Sequence, residues 1–172
     1  LEDHIADAVD ALIDEVIEKG SCDFVEDIAA PLPVKLIGEM TGIPEEHWPD
    51  VRQWMDVFIG GGSGPEHVTD EVNEAFINFG WLHMQLVDER RSQPKDDLLS
   101  IWTHSEIDGK KMDEDELLFE HTMMMIGGSE TARNAISGGV LELAGLPAQR
   151  DFLVNNPEWC GNVAEESTRW VT

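Results

Sequence analysis

The sequence predicts a mainly α-helical protein. Apolar residues recur at three- and four-residue spacing along most of the chain, which is typical of amphipathic helices. Alternating strand patterns are nearly absent, and one stretch of about 30 residues has the length of a helix that crosses a whole domain, roughly 45 Å. Helices are predicted over residues 1–19, 33–41, 50–59, 67–91, 96–102, 116–146 and 147–156, with a last one at the end of the chain.

The first helices are marked by their terminal residues. Residues 1–19 carry one apolar stripe, and Gly20 is a good stop for this helix. Residues 21–30 are predicted to form a connector with a short strand or a turn near residues 23–25. The next helix begins at Pro33, which suits a first helical turn, and ends before Gly42.

Proline and glycine divide the following segment. Pro49 is expected to separate a short turn from the helix that follows it. Residues 60–65 have the sequence GGGSGP and form the most flexible predicted loop, either a plain surface loop or a hinged lid. In the helix over 67–91, His83 lies on the apolar face, where we predict a satisfied core histidine and not a metal ligand.

Two local signals precede the longest helix. The Asp108-Gly109 pair between short flanks predicts a tight hairpin. Asp113 is a good N-cap, and Glu116 three residues later completes a capping box. Gly145 provides the stop at the other end.

Composition limits the partners and the compartment. The 11 Lys and Arg residues stand against 36 Asp and Glu, a net charge of −25 that repels nucleic acid and anionic lipid. No apolar run has the length of a transmembrane helix, and nothing resembles a signal peptide. Because the two cysteines, Cys22 and Cys160, form no disulfide framework, we expect a reducing cytoplasmic setting.

Both ends of the sequence interrupt a helical pattern. The chain opens at Leu1 inside an amphipathic stripe and closes at Thr172 directly after a helical run. We therefore expect residues 1–172 to be a single partial domain from a longer protein.

The longest helix contains an unusual interruption. Gly127 and Gly128 each cost about 1 kcal/mol relative to alanine in a helix interior. Ser129, Glu130 and Thr131 follow them and place polar groups at the weakened point. Two interpretations stand at this stage: a close helix crossing, or a bared helix face on which a flat ligand packs beside a hydroxyl and a carboxylate.

A second feature lies in the last predicted helix. Glu166 and Arg169 are three residues apart, so that their side chains can pair on one helix face. Such pairs are common in acidic helices. This one is notable for its place, beyond one intervening helix and a proline from the glycine segment.

These two motifs together resemble a known family. The segment Gly127-Gly128-Ser129-Glu130-Thr131 is similar to the A/G-G-x-D/E-T signature in the long central helix of cytochrome P-450 monooxygenases, and Glu166-x-x-Arg169 is similar to their ExxR helix. The resemblance covers essentially all 172 residues. Within the family, it is nearest in character to bacterial steroid side-chain hydroxylases, such as cholesterol 26/27-hydroxylases. It implies the central helical portion of the P-450 fold, truncated at both ends.

The resemblance implies roles for the residues of the interrupted helix. Gly127 and Gly128 would lie over the heme, where side chains would block oxygen. Thr131 would hold dioxygen and the water that protonates it by hydrogen bonds. Glu130 would relay protons into the site.

Other implied roles concern substrate and structure. Met123 and Ile126 would face the substrate above the heme, and Phe58 and Ile59 would belong to the substrate lid with the loop at 60–64. The ExxR residues, Glu166 and Arg169, would be structural.

The heme-thiolate loop of the family is absent from this sequence. Neither Cys22 nor Cys160 has its context, so we expect no metal ligand in this chain and an axial thiolate supplied from outside it. The chain alone is therefore expected to be inactive.

The leading hypothesis is a portion of a heme-thiolate monooxygenase that inserts one oxygen atom of O2 into an apolar steroid, terpenoid or fatty-acid-like substrate. The resemblance also implies a ferredoxin-type electron donor. The alternative is a self-contained acidic helical bundle that acts as an interaction or ligand-binding module. A ferritin-like di-iron bundle is excluded, because paired Glu-x-x-His motifs are lacking.

Overall fold

The computed structural model describes residues 2–60 and 68–171. Its contacts divide the chain into two compact units. The terminal unit comprises the described residues of Leu1–Pro33 and Ser129–Thr172, and the central unit is Val34–Gly128. A single partial domain over 1–172 stays a prediction.

Helices dominate the described residues, which confirms the predicted fold class. The helices are α1 Glu2–Ile17, α2 Pro31–Thr41, α3 Trp48–Gly60, α4 Asp70–Ser92, α5 Leu98–His104, α6 Glu114–Gly145, α7 Pro147–Asn155 and α8 Cys160–Val171. Short helical turns lie at Val25–Ala29, Glu45–His47 and Pro157–Trp159, and the strands are β1 Glu106–Ile107 and β2 Lys110–Lys111.

The hairpin and the capping box form as predicted. In the antiparallel hairpin, Asp108 and Gly109 have φ of 53° and 76°, the left-handed values of a type I′ turn. At the start of α6, the backbone N–H of Glu116 donates to Asp113 Oδ1 at 3.0 Å, and the N–H of Asp113 donates to Glu116 Oε2 at 2.9 Å. Helix α6 thereby begins at Glu114, two residues before the predicted start.

Of the strand and the turn predicted as alternatives in the connector at 21–30, the strand is wrong and a turn forms, a π-helical one at Val25–Ala29. Asp23 explains this difference, because its Oδ1 accepts the backbone N–H groups of Val25 and Glu26, both at 3.1 Å. A carboxylate that satisfies the first free N–H groups starts a helical turn where a strand would leave them unpaired.

Other boundaries also differ from the prediction. Helix α2 begins at Pro31 instead of Pro33, and Gly60, predicted to open the loop, is the last residue of α3. The rest of the predicted loop lies outside the described residues. Helix α4 begins at Asp70, where Thr69 caps it through a hydrogen bond from the N–H of Val72 at 3.2 Å.

The core of the central unit is built from the inward faces of α2 to α6. Its fully buried side chains include Met55 on α3, Phe79 on α4, Leu99 on α5 and Met125 on α6. Because these residues come from four helices, the core fixes the first part of α6 within the unit.

A buried ion pair lies beside this core. The Arg90 guanidinium is 2% exposed and donates from Nε to Asp97 Oδ2 at 2.6 Å and from Nη2 to the carbonyl of Gly42 at 2.8 Å. Burial acts to raise the pKa of Asp97, but the hydrogen bonds from Arg90 and Ser100 outweigh it and hold the pKa below its ordinary value. This cluster joins the end of α2 to α4 and to the start of α5.

We expect Gly42→Ala to destabilise the protein more than Gly109→Ala does. Both glycines have positive φ, 84° and 76°, which costs an alanine about 1–2 kcal/mol. At Gly42 an added Cβ would also lie 2.7 Å from Asp97 Cγ and 2.9 Å from Arg90 Nη2, an overlap that costs roughly a further 1–3 kcal/mol. At Gly109 it would meet nothing within 4 Å. Urea unfolding of both variants measures the difference, and equal losses would contradict this account.

The terminal unit is more open. Within it, α6 and α8 approach closely at Gly139, where an added Cβ would lie 3.0 Å from Ser167 Cβ. Large apolar side chains stay exposed, among them Leu141 at 72% and Val154 at 75%. No helix in the described residues of either unit is both long and apolar enough to cross a membrane.

Candidate functional site

Helix α6 is continuous from Glu114 to Gly145, through the glycine pair. Four exposed residues, Phe119, Met123, Gly127 and Thr131, follow one another every fourth position and so share one side of the helix. Phe119 is 63% and Met123 49% exposed. The line combines apolar side chains, bare backbone and a hydroxyl.

The two glycines have different surroundings. An added Cβ at Gly127 would meet no atom within 4 Å, whereas one at Gly128 would lie 2.8 Å from Ile37 Cγ1 on α2. Gly128 therefore lies at a close crossing of α6 with α2, which is the first of the two interpretations of the glycine segment. Gly127 alone presents bare backbone on the exposed line.

Alanine at these two positions should have opposite effects on stability. Gly127→Ala is expected to raise the free energy of unfolding by up to about 1 kcal/mol, because the helix gains propensity and nothing obstructs the methyl group. Gly128→Ala gains the same propensity but overlaps Ile37, which costs about 1–3 kcal/mol. Denaturant unfolding of the two variants provides the comparison. A Gly127→Ala loss as large as that of Gly128→Ala would disprove the open surroundings of Gly127.

Glu130, the predicted proton relay, has a basic partner on the same helix. Arg133 Nη2 lies 3.3 Å from Glu130 Oε1, and the two side chains are 23% and 26% exposed. Sequence reasoning missed Arg133, although its three-residue spacing from Glu130 is the same as in Glu166 and Arg169. The ion pair orients a half-buried carboxylate one residue before the exposed Thr131.

The predicted substrate residues divide between exposed and packed positions. Met123 is on the exposed line, whereas Ile126 is half-buried against the core of the central unit. Phe58 is also packed against this core and makes an edge-to-face contact with Phe76 of α4, with ring centroids 6.2 Å apart. Ile59 is half-buried beside it in the sequence.

The ExxR residues pair through two hydrogen bonds. Arg169 donates from Nε to Glu166 Oε2 at 2.7 Å and from Nη2 to Oε1 at 2.6 Å. These bonds lower the pKa of the Glu166 carboxyl. Both side chains are more than 60% exposed, so the pair itself adds little to stability.

The residues present fit one side of a heme and not its axial ligation. Bare backbone at Gly127 lets a flat group approach the helix, with Thr131 one turn away. Cys22 and Cys160 are both exposed free thiols. Over residues 2–60 and 68–171, no group of three or more His, Cys, Asp or Glu side chains could hold a metal ion.

Known proteins resemble this chain in sequence and in fold. No protein-family model matches it. It is 37% identical to a steroid C26-monooxygenase of Mycolicibacterium smegmatis, over 99% of this chain and 43% of that protein. A steroid C26-monooxygenase of Mycobacterium tuberculosis is 38% identical, over 99% and 43% of the respective chains. The structure of cytochrome P-450 PksS from Bacillus subtilis has a TM-score of 0.89 at 29% identity, covering 99% of this chain and 43% of that one.

The fold is therefore that of part of a cytochrome P-450. Likeness in sequence and likeness in structure together identify the chain as part of a cytochrome P-450, as its motifs predict. The chain spans less than half the length of the curated relatives that it matches.

Proposed function

We propose that the protein to which this chain belongs is a heme-thiolate monooxygenase, and that α6 lines the oxygen-binding side of its heme. The observation that carries the proposal is the exposed line of Met123, Gly127 and Thr131, with open space above Gly127. The resemblance to cytochromes P-450 over 99% of the chain supports it against the self-contained acidic bundle.

The heme would supply oxygen binding and oxidation when it is bound, and the protein would supply orientation and protons. Gly127 would allow the heme to approach the helix backbone. The Thr131 hydroxyl would donate a hydrogen bond above it and accept one from water. Glu130, half-buried and held by Arg133, would exchange protons with solvent and pass them towards Thr131.

The substrate is proposed to be apolar. Met123 and Phe119 would present a hydrophobic surface beside the reacting position, as is usual for small-molecule pockets. Ile126, Phe58 and Ile59 would complete the wall. Because the two relatives described above are named steroid C26-monooxygenases, a steroid is the first substrate to test; terpenoids and fatty acids are the alternatives.

The proposal includes a source of electrons and a place in the cell. One-atom insertion of O2 consumes two electrons, for which we propose a ferredoxin-type donor. A cytoplasmic location is proposed from the two cysteines that form no disulfide framework.

The test uses the complete gene product. We expect a carbon-monoxide difference spectrum with the Soret position of heme-thiolate proteins, and a substrate-dependent spectral shift with a steroid. The 172-residue chain expressed alone is the control and should give no thiolate spectrum. A complete protein without heme, or a thiolate spectrum from residues 1–172 alone, would contradict the proposal.

A further inference from the structure

Two histidines meet inside the central unit. His83 on α4 is 2% exposed and His121 on α6 is fully buried. Their Nδ1 atoms are 2.9 Å apart, the distance of a hydrogen bond. His121 also contacts the rings of Phe79 on α4 and Trp102 on α5, with centroids 5.2 and 6.2 Å away.

His83, predicted to be a satisfied core histidine, therefore has a hydrogen-bond partner at only one of its two ring nitrogens. The Nε2 atoms of both rings are buried and have no hydrogen-bond partner in the described structure. One ring must donate its Nδ1–H to the bare Nδ1 of the other, so the neutral pair has opposite tautomers. It leaves one N–H donor on one Nε2 and one lone pair on the other.

Protonation of this pair conflicts with its geometry in two steps. A first proton can bind only the Nε2 lone pair, which preserves the hydrogen bond but buries a cation and leaves an Nε2–H without an acceptor on each ring. A second proton would bind the accepting Nδ1 and place two N–H donors face to face at 2.9 Å. The closed pair therefore excludes protons, and the doubly protonated pair cannot exist in this arrangement.

The carboxylates that act on the two histidines within the described residues are already paired with arginines. The acids that face the histidines are Glu114 at the start of α6 and Asp97 at the start of α5, and Arg91 on α4 faces His83 as a cation. Glu114 is already paired with Arg91, and Asp97 with Arg90. Burial is accordingly the largest cause that lowers the pKa of both histidines below the ordinary value.

We propose that His83 and His121 form an acid-sensitive latch that holds α4 against α6 when both rings are neutral and releases it when they take up two protons. The released state is expected to expose the core between the two helices. Since α3 packs on α4 through Phe58 and Phe76, these helices would open together. The inference does not depend on the proposed monooxygenase function.

The sign of the pH dependence follows from proton uptake. Open or unfolded rings titrate near the ordinary histidine pKa of about 6.5, whereas the closed rings do not, so the open state binds more protons below that pH. The contribution of the neutral histidine pair to the stability of the closed state is complete above about pH 6.5. It is lost as the pH falls below this value. Two protons make the opening equilibrium about 100-fold more favourable per pH unit, once both open rings are protonated.

Hydrogen exchange of the complete gene product tests the latch. Amide protection in α4 and the first half of α6 is measured at about pH 7.5 and about pH 5, on either side of the ordinary histidine pKa, and corrected for intrinsic exchange. We expect a loss of protection at the lower pH that is absent from a His83→Leu/His121→Leu variant, because leucine fills the space without titrating. His47→Gln, a histidine change in the same unit, should behave like the wild type.

Two results would overturn the proposal. One is an equal acid-induced loss of protection in the double leucine variant and the wild type, and the other is full protection of the wild type at about pH 5. If the double variant does not fold, ¹⁵N-histidine spectra of the wild type decide. The latch requires two neutral rings of opposite tautomer that stay uncharged well below the ordinary histidine pKa; equal tautomers or an early charged ring would refute it.

Discussion

Replacing Thr131 with alanine in the complete protein is expected to separate electron consumption from product formation. Thr131 is an exposed residue on the proposed heme side of α6, one turn after Gly127. Without its hydroxyl, the proton and hydrogen-bond supply to the reacting oxygen fails, and reducing equivalents leave as peroxide. We expect roughly a 100-fold lower rate of product formation, the lower range of general acid–base effects, with a far smaller change in electron consumption.

The measurement compares product, peroxide and oxygen consumed in the same reaction. Ser137→Ala is a matched control, because Ser137 is also a hydroxyl residue of α6, bonded to the carbonyl of Arg133 at 2.7 Å. It should leave the ratio of product to oxygen unchanged. Unchanged coupling in Thr131→Ala would remove Thr131 from the proton path while leaving the heme assignment open to its own spectral test.

The largest expected effect on stability is that of Arg90→Ala. The change leaves the Asp97 carboxylate, whose side chain is 4% exposed, without its cation and removes a donor from the carbonyl of Gly42. Loss of one partner of a buried ion pair costs about 3–5 kcal/mol. Arg91→Ala is the neighbouring control; its side chain is 45% exposed, so less than about 1 kcal/mol is expected.

Acid should diminish the difference between these two variants. Because the pKa of Asp97 is lower in the folded protein than in the unfolded chain, its stabilising contribution is complete at neutral pH and is lost as pH falls through the carboxyl range. Urea unfolding at neutral and acid pH measures this change. Equal losses for Arg90→Ala and Arg91→Ala at neutral pH would contradict the buried pair.

Features that depend on neighbouring residues could be predicted from the sequence. The Asp108-Gly109 hairpin and the Asp113 capping box each need only a few consecutive residues, and both form as expected. The choice between a strand and a turn near Asp23 stayed open, because the sequence pattern does not show which N–H groups its carboxylate accepts.

Features that join distant residues could not be predicted. Nothing in the sequence distinguishes Arg90, buried with Asp97, from Arg91 next to it, which is on the surface. Gly127 and Gly128 are equivalent in the motif, and only the position of Ile37 distinguishes their surroundings. The same is true of His83 and His121, whose contact requires the packing of α4 on α6.

The open space at Gly127 has a consequence for protein engineering. A search for thermostable variants would select Gly127→Ala early, because the added methyl group meets no atom within 4 Å and the helix becomes more rigid. The same methyl group would occupy the space proposed for dioxygen. A position at which stability is easily improved would then be one where the improvement is incompatible with turnover, so thermal screening alone would select against activity.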